Sequence, residues 1–346
     1  MIRMKHKYAA LCPEESFSVG IIGAGYVSKK YHAPIVSKLP GLELNWVADI
    51  DFKQAKDITS LYSGRAVDLS NDSALPLADV VLLATPVTHR ETYLNELSES
   101  NVPVLCEKPF ATSVADHKTF NQYDNKVAVN YLRTYYCPIQ KLKYLFESGL
   151  VKKPEKIRIQ RGTIGGGTGG NSGSYRTQPE AGGILMERGC HTLSQIVHLF
   201  SGCDFHVNSA SITKFNRVDV QFSTELLVKG RSNEFTIEYE QSLLQNYERG
   251  MKLNYPSANI KIDHLDATDS ISLTKQNKTN SEKLECSDDT TWATSTKQGH
   301  IFSWLEFIEY VKTGKHHLGE NPTLPKVTNL IEKIRTEGEK TEVNHK

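Results

Sequence analysis

Short apolar runs alternate with polar, helix-compatible stretches through the first third of the chain. Phe17 to Ile22 is a β-rich run and Leu42 to Ala48 a second; Val80 to Ala84, Val102 to Cys106 and Lys126 to Asn130 follow. The Val80 and Val102 runs are continuously apolar, as strands buried on both faces are. Stretches of ten or more residues suited to helices lie between several of these runs. That alternation predicts a parallel sheet covered by helices. After Arg133 the pattern changes. Pro138 to Glu147 reads as a helix with Gly149 near its stop, Lys156 to Gln160 as a strand, and Gly182 to Phe200 as another helix. From Phe205 to Lys275 apolar and polar residues mostly alternate singly, as in Val218-Asp219-Val220-Gln221-Phe222 and Glu234-Phe235-Thr236-Ile237-Glu238-Tyr239. Period-two segments of this kind predict antiparallel strands with one face packed and one face free. His300 to Lys312 and Pro325 to Ile334 return to a helical pattern.

A chain of 346 residues exceeds one typical core, and two domains are expected. The pattern places a loosely ordered extension at 1–16, an α/β domain at 17–131, and an α+β domain at 132–346, whose last helices can pack back on the first domain. Lysine plus arginine (41) and aspartate plus glutamate (40) nearly cancel, which gives no support to a nucleic-acid or anionic-membrane partner. No apolar run approaches the roughly 20 residues that span a bilayer. The six cysteines are scattered without a C-x-x-C pair. Reduced thiols in a cytoplasmic protein are therefore expected, with no metal site.

The chemistry begins at Gly23-Ala24-Gly25-Tyr26-Val27-Ser28, between the first strand and the first helix. There Gly23 permits a tight turn, Gly25 lets the backbone approach a pyrophosphate, and Ser28 is small enough for the helix to pack on the strand. Gly23, Gly25, Tyr26 and Val27 are thus candidate cofactor contacts at a helix N-terminus. Asp49 ends the second strand, where a carboxylate accepts the ribose hydroxyls and repels a 2′-phosphate, so NAD is expected over NADP. Thr85 and Pro86 end the Val80 strand at the same sheet edge and are candidates to line the nicotinamide ribose. His89, one helical turn on, either joins them or merely starts a helix.

Glu107-Lys108-Pro109 directly follows the Val102 run. A lysine at the carboxyl edge of a parallel sheet sits where such sheets bind ligands, and it can hold a cofactor, polarise an oxygen or move a proton. Glu107 and Lys108 therefore join the cofactor candidates. Farther on, Gly182-Gly183 leads to Glu187 and His191, four residues apart and so on one face of a regular helix. Ser194 and His198 extend that polar stripe. A carboxylate one turn from an imidazole can orient it and raise its basicity for proton transfer; a solvated helix face is the other reading. Gly162 to Ser174 is glycine-rich but lacks the Gly-Lys-Ser/Thr of a phosphate loop. It reads as a mobile loop beside the substrate or as a flexible connector. Arg133, Arg161, Arg176 and Arg188 flank these segments with guanidinium groups suited to phosphate or carboxylate. Arg133 and Arg176 are assigned to the substrate, with Glu187 and His191.

Taken together, Gly23-Ala24-Gly25, Asp49, Ala84-Thr85-Pro86 with His89, Glu107-Lys108-Pro109, the run from Arg133 to Gly149, and Gly182-Gly183 leading to Gly189-Cys190-His191 resemble the Gfo/Idh/MocA oxidoreductase family, from about Phe17 to Ile334. The resemblance implies a doubly wound Rossmann domain followed by an α+β domain whose large, open, mostly antiparallel sheet mediates homo-oligomerisation to a dimer or tetramer. It implies hydride transfer between NAD(P) and a hydroxyl or keto carbon of a sugar, nucleotide-sugar or polyol. Lys108 then polarises or protonates the reacting oxygen, His191 is the acid/base, and Glu187 stands where the family commonly has an aspartate. Ser194 occupies a position where many members carry an aspartate. A dinucleotide-binding regulator without catalysis, and an enzyme that oxidises its substrate transiently with tightly held NAD during glycoside cleavage or epimerisation, are the alternatives on the same fold.

Overall fold

The early apolar runs become strands of one parallel sheet in the computed structural model, which describes residues 16–71, 74–120, 122, 126–164, 183–231, 233–275, 280–286, 291–314 and 325–339. The N-terminal extension up to residue 15, most of the glycine-rich stretch, Arg176 and Gly182 lie outside the described residues. Strand β1 (Phe17–Ile22) leads through a π-helical turn (Ser28–His32) into α1 (Ala33–Val36). Then come β2 (Leu42–Asp49), α2 (Phe52–Tyr62), β3 (Arg65–Asp68), β4 (Val80–Leu83), α3 (Arg90–Glu99), β5 (Val104–Cys106), α4 (Val114–Phe120) and β6 (Val127–Val129). Among the described residues these make a six-stranded sheet in the order β3-β2-β1-β4-β5-β6, every pair parallel. That is the doubly wound order, with its switch point between β1 and β4.

All four residues of β4 are buried, as are all three of β5, so both faces of these strands are covered. Each such Val or Leu contributes about 1.5–3 kcal/mol of burial. Strand β3 was not visible as an apolar run for a physical reason: it is a four-residue edge strand with only Val67 buried.

The second half supplies α5 (Cys137–Glu147), β7 (Lys156–Gly162), a π-helical turn (Leu185–Gly189) running into α6 (Cys190–Leu199), then β8 (Asp204–Phe215), β9 (Val218–Lys229), β10 (Glu234–Ser242), β11 (Gly250–Asn254), β12 (Ala258–Asp263), β13 (Ile271–Lys275) and β14 (Ser281–Leu284). Helices α7 (Thr296–Thr313) and α8 (Lys326–Glu339) follow. The described strands form an eight-stranded sheet in the order β14-β13-β12-β11-β7-β10-β9-β8. Only β7 and β10 run parallel in it; the remaining neighbours are antiparallel.

The chain divides into two units. The first draws on Met1–Ala111, Ala115–Leu132 and Lys297–Pro325, the second on Thr112–Val114, Arg133–Thr296 and Lys326–Lys346. The core of the first unit joins β1, β2 and β4 to Trp304, Leu305, Phe307 and Ile308 of α7. In the second unit Ile157 and Ile159 of β7, Phe222, Leu226 and Val228 of β9, and Phe235, Ile237 and Tyr239 of β10 are buried at every second position. Phe200, at the end of α6, packs its ring on Phe146 and Phe235. No described helix is long and apolar enough to cross a membrane.

Gly183 shows how tightly the π-helical turn is seated. Its φ is +60°, and a Cβ there would lie 2.5 Å from the backbone nitrogen of Asp219. Both the left-handed backbone and the close approach exclude a side chain. Gly183→Ala is expected to destabilise the protein by about 2 kcal/mol or more, seen as a lower midpoint in chemical denaturation. An unchanged midpoint would show that this junction relaxes freely.

Candidate functional site

Parallel strands all end at one edge, and in the first unit that edge gathers the residues singled out in the sequence. Gly23 follows β1, Asp49 ends β2, Thr85 and Pro86 follow β4, and Glu107 and Lys108 follow β5; Asn130, not singled out in the sequence, follows β6 at the same edge. Gly23 turns with φ +98°, and a Cβ on it would sit 2.8 Å from the carbonyl of Ala84. Its N–H bonds to Ala48 O at 2.8 Å, and the Ser28 hydroxyl donates to its carbonyl at 2.5 Å. Asp49 secures the same turn: Oδ2 accepts from Ala24 N at 2.6 Å and Oδ1 from Asp51 N at 2.8 Å. Capping of α2 falls instead to Asp51, which accepts from Lys53 N, so Asp49 is not spent as a helix cap.

A Cβ on Gly25 would meet nothing within 4 Å. The cradle there is open on the side a pyrophosphate would approach, and the residues fit a dinucleotide on that observation. Tyr26 is exposed and accepts from Lys30 Nζ at 2.5 Å; Val27 is half-buried.

A buried arginine absent from the sequence reading ties two of these loops together. Arg90, 2% exposed, donates to Thr85 O at 3.2 Å, to Phe110 O at 3.1 Å and to Pro109 O. It thereby fixes the loop after β4 against the loop after β5. His89 is exposed at the end of a 3₁₀ turn (Val87–His89) just before α3. The Lys108–Pro109 peptide is cis, and Lys108 is half-buried.

Beneath Lys108, Glu107 is only 7% exposed. His32 Nε2 lies 3.0 Å from Glu107 Oε1, Asn130 Nδ2 donates to the same oxygen at 2.5 Å, and Lys108 N donates to Oε2 at 3.2 Å. Asn130 Nδ2 also reaches His300 Nδ1 at 3.0 Å, and Trp304 Nε1 donates to His32 Nδ1 at 3.0 Å. Burial pushes the Glu107 carboxyl up, but the His32 hydrogen bond and the fields of His32, His300 and Lys108 outweigh it and hold it at about 2. His300 is driven down to about 3 by burial first and then by His32, against the pull of Glu107. None of His32, Asn130, His300 or Trp304 was legible beforehand, because residues 32, 107, 130 and 300 meet only through the fold.

The second unit holds the other predicted group. Glu187 lies in the π-helical turn Leu185–Gly189, half-buried, and His191 lies in the first turn of α6, 9% exposed. The i, i+4 relation between them therefore spans a change from π to α winding. Ser194 donates its hydroxyl to His191 O at 2.9 Å. His198 is buried too: Nε2 lies 2.9 Å from Gln140 Nε2, and Lys143 donates to its carbonyl at 3.1 Å. Burial first, and then Lys143, lowers His198 to about 3.

Arg133 and Arg161 sit in this unit. Arg161 donates to His264 O at 2.9 Å, and burial first, then the charge of Arg133, lowers its guanidinium to about 10. Tyr239, buried beside Gln241, is pushed up to about 12, mainly by burial. Arg176, also assigned to the substrate from sequence, falls outside the described residues.

With this geometry in hand, residues 17–131 match an oxidoreductase family with an NAD-binding Rossmann fold. The matching model is that of the Gfo/Idh/MocA oxidoreductases, and the match covers the Rossmann sheet of the first unit. Relatives of the family include an inositol 2-dehydrogenase of Rhodococcus erythropolis, 33% identical over 143 residues, covering 39% of this chain and 40% of that protein. An inositol 2-dehydrogenase/D-chiro-inositol 3-dehydrogenase of Shouchella clausii is 27% identical over 148 residues, covering 40% and 43%. The chain thus matches about two fifths of the length of these curated relatives. Solved structures of like fold include a 3-ketoreductase from Actinomadura kijaniata in complex with NADP and TDP-benzene, with a TM-score of 0.76 and 15% identity over 93% of this chain and 98% of that one. Another is an oxidoreductase from Agrobacterium radiobacter in complex with NAD+, L-tartaric acid and magnesium, with a TM-score of 0.73 and 18% identity over 94% and 97%. At these identities the likeness carries the fold of both units: a Rossmann sheet and a large, mostly antiparallel one.

The two depressed histidines give the folded protein a defined acid response. His198 and His300 stay neutral when folded but charge near pH 6.5 when unfolded. Their contribution is complete above that pH and is lost as pH falls toward 3. Glu107 adds a further loss as pH drops from 4.5 toward 2. Between about pH 6 and 4 the unfolding free energy should fall by roughly 1 kcal/mol per pH unit for each histidine. In denaturation series at stepped pH, His198→Gln should remove one of these increments; an unchanged slope would contradict the buried neutral state.

Proposed function

We propose that the protein is an NAD-dependent dehydrogenase or reductase acting on a hydroxyl or keto carbon of a sugar, nucleotide-sugar or polyol. The observation that carries this reading is the strand edge of the first unit. There a glycine turn open at Gly25 and a carboxylate at Asp49 stand on the same edge as Lys108. The relatives named as inositol dehydrogenases support the substrate class.

In this reading Gly23, Gly25, Tyr26 and Val27 hold the pyrophosphate, and the helix N-terminus faces its charge. Asp49 takes the ribose hydroxyls with the lone pairs left over from Ala24 and Asp51. Thr85, Pro86 and His89 line the nicotinamide side. When bound, the nicotinamide supplies the hydride acceptor or donor. Lys108 Nζ presents a proton to the reacting oxygen and stabilises its negative charge; His191 takes or returns the hydroxyl proton, with Glu187 orienting it or the substrate. Arg133 and Arg176 bind the rest of the substrate. Five free, buried thiols among the described residues favour the reducing cytoplasm as the place of work. The open face of the eight-stranded sheet is the proposed surface for a homodimer or tetramer.

Two variants test the reading. Gly25→Val fills space that the protein itself does not use, so it should leave the melting temperature unchanged while abolishing NADH binding in a fluorescence titration. Retained NADH binding would remove the cradle from the proposal. Lys108→Met should lower turnover on the responsive member of a sugar, nucleotide-sugar and polyol panel by about 10²- to 10⁴-fold, with NADH affinity little changed. Wild-type binding of cofactor without turnover on any panel member would point to a regulator. Product formation without net cofactor reduction would point to transient oxidation. A clear preference for NADP would overturn the role given to Asp49.

A further inference from the structure

The buried groups behind Glu107 have a donor–acceptor order that the proposed chemistry does not use. Trp304 Nε1 can only donate, so His32 Nδ1, 3.0 Å away, accepts. The ring proton of His32 then sits on Nε2, and it is donated to Glu107 Oε1 at 3.0 Å. Asn130 spends its two amide hydrogens in two directions from Nδ2, one on Glu107 Oε1 and one on His300 Nδ1. His300 Nδ1 is therefore an acceptor as well. His32, Asn130, His300 and Trp304 are each no more than 1% exposed, and the ring of His300 stacks on Tyr31 at 4.7 Å. The chain of donors runs from α7 through the π-helical turn and the end of β6, and converges on one carboxylate.

We infer that His32, Asn130 and Trp304 are positioning residues: through directed hydrogen bonds they clamp Glu107, and Glu107 in turn fixes the β5 edge that presents Lys108. This rests on the reading of Lys108 as the reactive amine, and it goes beyond that reading by assigning the cause of the amine's placement. Glu107 receives His32 and Asn130 on one oxygen and the Lys108 backbone N–H on the other. The carboxylate is thus the joint between the buried chain and the residue that follows it.

His32, Glu107 and His300 also lie close enough together to suggest a metal site, but the hydrogen-bond order argues against one. A metal on His32 Nε2 would require the ring proton on Nδ1, where it would face the Trp304 N–H, donor against donor. Two groups with only hydrogens to offer cannot share that 3.0 Å contact.

The test reads Lys108 directly. Acylation of the protein by limiting acetic anhydride, quantified for the Lys108 peptide against Lys152 by mass spectrometry, reports how firmly the amine is held, whether or not the enzyme turns over. His32→Leu deletes both hydrogen bonds and should raise Lys108 labelling at least threefold. His32→Gln keeps one donor and one acceptor and should return it to the wild-type rate. Trp304→Phe keeps an aromatic ring but loses the N–H, gives an intermediate rise, and covers the case in which His32→Leu fails to fold. In turnover assays His32→Leu should lower kcat at least tenfold with NADH affinity within twofold, again rescued by glutamine. Unchanged labelling in both His32→Leu and Trp304→Phe would overturn the clamp. So would one equivalent of zinc surviving dialysis against chelator in wild type and absent from His32→Gln. Changed labelling with no turnover by wild type on any substrate would leave the clamp standing and remove the dehydrogenase reading instead.

Discussion

An ionised carboxylate inside a protein is tolerated only when hydrogen-bond donors replace the water it has lost. Glu107 is such a group, and much of the first unit is arranged to supply it. Its donors come from the turn after β1, the end of β6 and its own strand edge, while α7 supplies the tryptophan that fixes the proton on His32. Removing one partner from a buried charge costs far more than the bond is worth in water. The constraint therefore runs in both directions: the fold must bring α7 to β1, and once it has, the loop after β5 cannot drift.

Arg90 does the same work with the opposite sign. Its guanidinium is buried, and its two terminal nitrogens donate to the carbonyls of Thr85, Pro109 and Phe110. A cation solvated by backbone oxygens welds two ligand-facing loops, because each carbonyl it holds would otherwise be a poorly satisfied acceptor at a strand end. Glu107 and Arg90 thus set the strand edge from two sides. In the second unit the comparable choice was neutrality. His198 and the aromatic hydroxyl of Tyr239 keep their uncharged forms through burial, and helix α6 can then sit almost wholly inside.

Much of the fold was legible in the sequence because periodicity reports burial. Val80 to Leu83 and Val104 to Cys106 are apolar without interruption because helices cover both faces of the sheet; the residues of β9 and β10 alternate because only one face of the larger sheet is packed. Where burial is slight the signal fails, as at β3. Where winding departs from 3.6 residues per turn, spacing arguments loosen, and both the Ser28–His32 and the Leu185–Gly189 turns are π-helical. Of the candidate site, Gly23, Gly25, Asp49 and Lys108 stood out because each chemical duty is local, belonging to a turn or a strand end. Arg90, Asn130 and His300 did not, since nothing in their neighbours along the chain distinguishes them from surface polar residues.

By itself the sequence determined the alternation of buried strands and helices, the glycine turn, the carboxylate at the end of β2 and the lysine at the end of β5, all properties encoded within a few residues. Only the tertiary structure decided which polar side chains would be buried together. His32, Glu107, Asn130, His300 and Trp304 are spread over 273 positions (32 to 304), and their hydrogen bonds exist because parallel strands deliver Glu107 and Asn130 to one sheet edge, the π-helical turn after β1 brings His32, and α7 brings His300 and Trp304. A hydrogen bond needs its partners within about 3 Å and correctly directed, and that is information a linear pattern does not contain.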